Sequence, residues 1–410
     1  MMRSQTRPLR RALGALSWIA LAAMGGTAPR AAAPPAAPAP QAAKKNFSST
    51  KTCAPPTGDP IPAEKVMQDL IEGKNVDLTS RTIEGSLDAD AFWPQATTEK
   101  RSSYRVIRGR LKLESSRVTG RIAFPRCIFL QDISLSCTEV LGDLDLSDTE
   151  VRGGIAGEKL RVVGDMRLTN ASFDRDILFK GGVFESRVDL SGAHLHSLSL
   201  VDAEIARSLE IAHVSTSLVD MSSLRVAGTA RIEDMLALVG ITARDATFSR
   251  GLTMSFVKVI GPMDLTGGRS GAEFVLTDLN VEADLTLPRF FEGPTTLTDV
   301  FVGRNLVMAD GEFRDVSIER LTVKGASRLE SGRYAGVLNI GDSDFGVGFR
   351  ANETLFSGDC EFRKVKFPGP DPMHGAQFVR MPSLVDTTLP RIPTIVSDDG
   401  SGNDDDTPDK

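Results

Sequence analysis

Large apolar side chains recur along the chain every 11, sometimes every 10, residues between Leu113 and Phe362. A second apolar residue lies two positions before most of them, as Leu111 does before Leu113, and this spacing puts both side chains on one face of a strand. A third apolar position follows five residues after the first, as at Val118. All 24 positions of this main ladder except Gly157, Ala243 and Ala351 carry a large apolar side chain. The main ladder is Leu113, Phe124, Leu135, Leu146, Gly157, Leu168, Phe179, Leu190, Leu200, Ile211, Met221, Ile232, Ala243, Met254, Leu265, Leu276, Leu287, Leu297, Met308, Ile318, Leu329, Ile340, Ala351 and Phe362.

An α-helix cannot keep this rhythm, because five residues advance about 500° around the helix axis and the apolar side chains would not stay on one side. Short strands joined by corners keep it. Glycine recurs four residues before the main ladder, for example at Gly109, Gly261 and Gly358, and we expect these glycines to turn the chain with unusual backbone angles. The pattern predicts an all-β, right-handed parallel β-helix solenoid of about 12 coils.

Five-residue units with a small residue two positions before a central Leu, Ile or Phe occur repeatedly. They include Ala171-Ser-Phe173-Asp-Arg, Gly182-Val-Phe184-Glu-Ser, Ala193-His-Leu195-His-Ser, Ala203-Glu-Ile205-Ala-Arg, Ala246-Thr-Phe248-Ser-Arg and Ser343-Asp-Phe345-Gly-Val. Over about residues 109–369 these units resemble the pentapeptide-repeat family. The resemblance implies a four-sided, right-handed β-helix with the central residue pointing inward. The coils of 21 or 22 residues are longer than is usual in that family, and alternate faces carry a large residue, such as Leu144, where the family prefers a small one.

The two ends of the chain differ from the repeat region. Residues 1–50 carry a net charge of +7 without any acidic residue. Arginines precede an apolar run from Ala12 to Met24 that small residues follow, which predicts a secretory signal peptide over residues 1–33, with an uncleaved membrane anchor as the alternative. The composition predicts an Ala/Pro-rich disordered linker over residues 34–58 and an acidic disordered tail of net charge −4 over residues 391–410.

Covers are expected at both ends of the solenoid, because an open end exposes its core and its strand edges. We predict an N-terminal α-helical cap and an irregular first coil over residues 59–108. We predict a C-terminal cap segment over residues 370–390. The apolar residues that fall at helical spacing are Ala63, Val66, Met67, Leu70 and Ile71. We interpret Trp93, which lies where the repeat is interrupted, as a cover over the end of the core, with partner recognition as the alternative.

Charge indicates one candidate interaction surface. Residues 100–126 carry a net charge of +8, whereas the rest of the repeat region is acidic. We call this cluster the basic collar. Together with Trp93, its candidate interaction residues are Arg101, Arg105, Arg108, Arg110, Lys112, Arg117, Arg121 and Arg126. We expect the collar to bind an anionic envelope surface or a protein partner, or to pair end to end or end to side with copies of the chain. A solvated face with its charges spread around all sides is the alternative.

The sequence offers little that indicates chemistry. It contains no nucleotide-binding, nucleophile-elbow or zinc-protease motif. His194 and His196 flank an inward Leu195, and because no third ligand is assignable we expect no metal and no cofactor. The four cysteines permit disulfides without requiring them: Cys127 and Cys360 occupy inward positions, and Cys53 and Cys137 have no partner defined by spacing.

These observations predict a non-catalytic structural or interaction scaffold of the bacterial envelope, exported to the periplasm or cell surface. We expect no nucleic-acid partner and no transmembrane span in the mature chain. One alternative is a polysaccharide-active β-helix enzyme, although the nearly constant coil length leaves little loop with which to build a cleft. A second alternative, which the family resemblance allows, is an acidic DNA mimic, but the basic collar interrupts the uniform charge that this role needs.

Overall fold

The structure is a computed structural model that describes residues 53–93, 104–369, 371–389, 391 and 394–396. This part of the chain forms a parallel β-solenoid of about 14 turns, so the predicted all-β solenoid class is confirmed. A regular turn contains four short strands, one on each of four faces. In the regular turns each strand pairs in parallel with its equivalents 21 or 22 residues away; Ile133, for example, pairs with Leu111 and Ile155. The predicted signal peptide, most of the predicted linker and nearly all of the predicted tail lie outside the described residues.

We number the faces one to four in the order in which the chain visits them from Val76 onwards. Face one comprises Val76–Thr79, Leu111–Glu114, Ile133–Ser134, Ile155–Ala156, Ile177–Leu178, Ser197–Ser199, Met263–Asp264, Leu285–Thr286, Leu306–Val307, Ala326–Arg328 and Gly348–Arg350. Face two comprises Ile61–Pro62, Thr82–Glu84, Arg117–Val118, Glu139–Val140, Arg161–Val162, Val183–Phe184, Glu204–Ile205, Arg225–Val226, Thr247–Phe248, Arg269–Ser270, Phe290–Phe291, Glu312–Phe313, Arg333–Tyr334, Leu355–Phe356, Gln377–Phe378 and Thr394–Ile395.

Face three comprises Leu87–Asp88, Ile122–Ala123, Leu144–Asp145, Met166–Arg167, Val188–Asp189, Leu209–Ala212, Ala230–Glu233, Leu252–Ser255, Phe274–Thr277, Thr295–Thr298, Val316–Glu319, Leu338–Gly341, Cys360–Arg363 and Ser383–Val385. Face four comprises Arg105–Ile107, Cys127–Phe129, Glu150–Val151, Ser172–Phe173, His194–Leu195, Lys258–Val259, Asn280–Val281, Phe301–Val302 and Thr322–Val323. Two longer strands, Ser215–Asp220 and Leu236–Thr242, continue from face four into face one.

A helix, Ala63–Ile71, lies at the N-terminal end of the solenoid, as predicted. It begins directly after Pro62, whose fixed φ suits a helix start, and it buries Ala63, Val66, Met67 and Leu70 in the same core that the strands share. A second, short helix, Ala89–Phe92, follows Asp88, whose side chain accepts a hydrogen bond of 2.9 Å from the Asp90 amide.

The number of turns exceeds the expected 12 because the repeat continues past both predicted boundaries. Strands between Val76 and Ile107 complete a four-sided turn that contains the short helix Ala89–Phe92 and whose first two strands pair with residues 35 positions later. At the other end Gln377–Phe378 pairs with Leu355–Phe356 on face two, within the predicted cap segment. The insertion before Tyr104 and the proline-rich stretch after Phe367 interrupt the apolar spacing, but they leave the stacking of the turns intact.

All members of the main ladder are buried, and they join the other two ladders in one continuous hydrophobic core. Because the core runs through every turn, each turn is stabilised by the turns on either side of it rather than by a core of its own. Buried and exposed side chains alternate along the strands, and this pattern repeats from turn to turn at the inter-strand spacing of about 4.8 Å.

The expected role of the recurring glycines is wrong. The eleven glycines that precede the main ladder by four residues all lack a positive φ. Glycine recurs at these positions because a side chain would not fit. A Cβ on Gly261 would lie 1.6 Å from the carbonyl oxygen of Val239, and one on Gly109 would lie 1.8 Å from that of Lys74. Positive φ occurs instead two residues after ladder positions, mostly at Asp, Asn or Ser, as at Asp148 and Asn170.

Stacked aromatic rings form a column behind face two. Phe291, Phe313, Tyr334, Phe356 and Phe378 follow one another with ring centroids 4.6–5.0 Å apart. Tyr334 is the only member with a polar atom, and its buried hydroxyl has no hydrogen-bond partner among the described residues. Burial raises the pKa of this hydroxyl strongly, so it stays protonated.

Replacing Tyr334 by Phe is expected to stabilise the solenoid by about 1 kcal/mol, because a buried polar group without a partner carries its full desolvation cost. Thermal unfolding followed by circular dichroism measures the change. Phe313→Tyr, one turn away in the same column, is the matched control and should destabilise, because it buries a second hydroxyl. A lower unfolding temperature for Tyr334→Phe would mean that the hydroxyl has a partner.

Candidate interaction surfaces

The basic collar surrounds the first turns of the solenoid and does not form a single patch. Arg105 and Arg126 border face four, Arg110 and Lys112 lie on face one, and Arg117 lies on face two. Arg121 precedes a strand of face three, and Arg108 lies at the corner between faces four and one. Arg101 and Lys100 lie outside the described residues. The collar residues therefore face several directions, as the alternative of a solvated face supposed.

Most of the collar cations contact acidic side chains, which lie on adjacent strands, on the same strand or in the helix Ala89–Phe92. The nitrogen–oxygen distances are 2.6 Å for Arg105–Asp90, 3.5 Å for Arg126–Asp90, 2.8 Å for Arg110–Asp77, 3.2 Å for Lys112–Glu114 and 2.5 Å for Arg117–Glu139, and Arg121 pairs with Asp88. Within the part of the collar that the structure describes, Arg108 has no ion-pair partner. The sequence charge of the collar thus overstates its local field, because all of these acids except Glu114 come from outside residues 100–126.

Trp93 packs partly buried against the hydrophobic core, next to the short helix Ala89–Phe92. The guanidinium carbon of Arg105 lies 5.9 Å from the centre of the indole ring, within the range of a cation–π contact. This position agrees with the interpretation of Trp93 as a cover over the end of the core.

Face two carries a ladder of charges that continues beyond the collar. Glu139 contacts Arg117 in the turn before it and Arg161 in the turn after it. The Nε of Arg161 in turn donates a hydrogen bond of 2.8 Å to the carboxylate of Glu185. Exposed pairs of this kind contribute about 0–1 kcal/mol each, so the ladder mainly fixes side-chain order along the face.

Sequence reasoning missed an apolar patch on face four. Phe256, which is 59% exposed, lies at the corner of this face with face three, and Val239 (58% exposed), Leu218 and Leu238 are exposed at its corner with face one. Here the strands run through the corner, with a register shift between Thr216 and Leu218. The signal was present in the uninterrupted apolar run from Met235 to Ile241, which breaks the alternation of buried and exposed residues.

Phe256 is also unusual in its backbone. It has a φ of 54° at a corner where Asp, Asn and Ser predominate in other turns. This conformation costs a residue with a bulky side chain about 1–2 kcal/mol. The chain therefore keeps an exposed phenyl ring at a position that disfavours it in two ways, which is typical of a functional contact.

The histidines and buried thiols lack the surroundings of reactive groups. His213 Nδ1 lies 2.8 Å from Asp234 Oδ2, and across the described ranges no three His, Cys, Asp or Glu side chains are grouped so that they could hold a metal ion. Cys127 and Cys360 are buried, and burial raises the pKa of each thiol to about 12. At neutral pH both are protonated and behave as small apolar side chains.

Cys53 and Cys137, which spacing could not pair, form a disulfide across 84 residues of sequence. Cys137 lies at a corner between faces one and two, with a φ of 56°, and Cys53 belongs to the segment that precedes the first helix. The bond therefore fastens the start of the described chain to the side of the solenoid.

A shallow depression on face one lies over the small side chains of Ser134 and Ala156. Two acids at its rim bind neighbouring turns: Asp132 accepts a 2.9 Å hydrogen bond from the Gly154 amide, and Asp176 accepts one of 2.5 Å from the Ser197 hydroxyl. These carboxylates thus have structural partners.

Comparison of the chain with protein-family models, curated proteins and solved structures finds no match. Within the described ranges, none of the helices has the length and apolar character needed to cross a bilayer. The architecture alone makes this chain a β-solenoid repeat protein.

Proposed function

We propose that this chain is a non-catalytic scaffold of the bacterial envelope that binds its partners through the outer faces of the solenoid. The regularity of the turns carries the proposal. Successive strands are separated by corners of a few residues, so the ionisable side chains lie on flat faces and pair with one another along the axis. A reaction centre needs converging groups held in a cleft, whereas flat, repeated faces suit extended contacts.

Export is the second part of the proposal, and the Cys53–Cys137 disulfide supports it. Disulfides persist in oxidising compartments and are rare in the cytosol, where thiols are kept reduced. The signal-like sequence at residues 1–33 is consistent with the same route. We also propose membership of the pentapeptide-repeat family, for which the four strands per turn and the inward Leu and Phe residues are the supporting features.

The basic collar is the part of the scaffold that we expect to meet an anionic envelope surface. The purified chain should sediment with phosphatidylglycerol vesicles or lipopolysaccharide at low salt and be released at high salt. Replacing Arg101, Arg105, Arg108 and Arg110 by Gln should weaken retention by at least about tenfold, because each cation near an anionic surface adds roughly 1 kcal/mol.

The matched control replaces four cations outside the collar, Arg250, Arg304, Arg314 and Arg333, by Gln and should leave retention unchanged. Circular dichroism checks that both variants keep their β content. Equal retention of the collar variant and the original chain would end the assignment of the collar. If the same preparation releases reducing ends from uronate polysaccharides, the chain is an enzyme and the scaffold proposal is wrong.

A further inference from the structure

We infer that face four is a self-association surface on which two copies of the chain pack side by side and antiparallel. The inference rests on the proposed scaffold function and names its partner, a second copy. Two apolar patches on this face carry it. The first patch is Tyr104, Val106, Ile128 and Leu130; the second patch is Leu236, Leu238, Val239, Phe256 and Ile260.

The two patches belong to one continuous column of paired strands. The outward residues at its centre, in consecutive turns, are Val106, Ile128, Glu150, Ser172, His194, Ser215, Leu236 and Lys258. Seven inter-strand steps of about 4.8 Å separate the first from the last, or roughly 34 Å. The patches therefore lie at the two ends of this stretch of face four.

A two-fold axis along the strand direction, midway between Ser172 and His194, brings each patch of one copy onto the other patch of the second copy. Along the central column Ile128 then faces Leu236, and Val106 faces Lys258. Two residues before these, at the corner with face three, Tyr104 faces Phe256 and Arg126 faces Asp234.

At the corner with face one, two residues after the central column, Leu130 faces Leu238. In the middle of the face the same axis sets Asp174 opposite His196. Three apolar pairs and the Arg126–Asp234 ion pair thus meet at each end, whereas the same axis sets Arg108 opposite Ile260.

Charge and exposure favour a second copy over an unrelated partner. The Asp234 side chain is 66% exposed and that of Arg126 is 50% exposed, so both are available to a partner. Their present neighbours are an imidazole, at 2.8 Å from Asp234, and a carboxylate at 3.5 Å from Arg126. Because Arg126 flanks the first patch and Asp234 the second, this pair of positions favours contact between unlike patches. This order on a single face is what an isologous contact requires.

The Phe256 backbone agrees with this contact. An exposed phenyl ring at φ 54° is unfavourable in the isolated chain, and packing against Tyr104 of a second copy would bury it. In the column of residues at the corner with face three, the aromatic residues are Tyr104 and Phe256, which the two-fold axis brings together.

A charge exchange tests the inference on the full chain by sedimentation velocity over a range of concentrations. Asp234→Arg alone and Arg126→Asp alone should each weaken the dimer by at least about tenfold, because each places like charges together at two symmetric sites. The double variant restores opposite charges and should regain most of the affinity. Both changes use residue types that this corner column already carries at positive φ, such as Arg320 and Asp278.

Asp310→Arg is the matched control, because Asp310 is an exposed aspartate at a positive-φ corner between faces one and two. It should leave the dimer unchanged. The inference is wrong if the chain stays monomeric at every concentration. It is also wrong if the charge exchange leaves the affinity of the dimer unchanged. A photo-crosslinker at Leu238 should join a second copy near Leu130; capture of a different protein without this crosslink also overturns it. A monomer would still leave the scaffold proposal intact, since the vesicle assay tests that separately.

Discussion

Replacing Leu168 by Asp is expected to unfold the turns around it and to destabilise the solenoid by at least about 3 kcal/mol, because a buried carboxylate would have no partner. Burial raises the pKa of such a carboxyl, so the loss should grow as the pH rises from about 4 to 7. Thermal unfolding at several pH values measures it. Leu178→Asp, on the outer side of its strand, is the control and should cost little.

The same repeat predicts that length matters less than register. Deleting residues 168–189 joins Arg167 to Leu190, which takes the place of Leu168 in the core, and a folded, shorter solenoid should result. Deleting only residues 168–172 shifts the rest of the turn against its neighbours and should abolish cooperative unfolding. Equal tolerance of the two deletions by circular dichroism would contradict a stacked solenoid.

Removing the Cys53–Cys137 disulfide is expected to destabilise the N-terminal part of the solenoid by about 4 kcal/mol, on the chain-entropy estimate for a loop of 84 residues. A Cys53→Ser/Cys137→Ser double variant should unfold at a lower temperature and expose the segment before the first helix to proteases. Mass spectrometry of the fragments locates the cleavage. Cys127→Ser is the control for a cysteine change outside the disulfide.

A reducing agent should reproduce the effect in the original chain and have none in the double variant. Protection of the N-terminal segment that is equal in both forms would mean that the strand Ile61–Pro62 and the following helix hold the segment without the covalent bond.

The surfaces that carry the proposals depended on contacts between turns. The collar count of +8 came from consecutive residues, whereas the acids that pair with it, such as Asp77 and Asp88, lie 33 residues earlier in the chain. The apolar patch on face four required Leu218, Leu238 and Phe256 to be placed on adjoining turns. Neither arrangement follows from local spacing, because each brings together side chains that are one or two turns apart.

The sequence by itself determined the strand spacing, the inward ladders and the parallel pairing of residues 21 or 22 apart, because burial alternates with the local geometry of each short strand. Only the tertiary structure decided why glycine recurs at the corners, which cysteines pair and which charges remain free. Gly261 is required by a carbonyl oxygen of the preceding turn, and Cys137 finds Cys53 through the winding of the chain. Such contacts depend on the stacking of whole turns, which no segment of the sequence contains on its own.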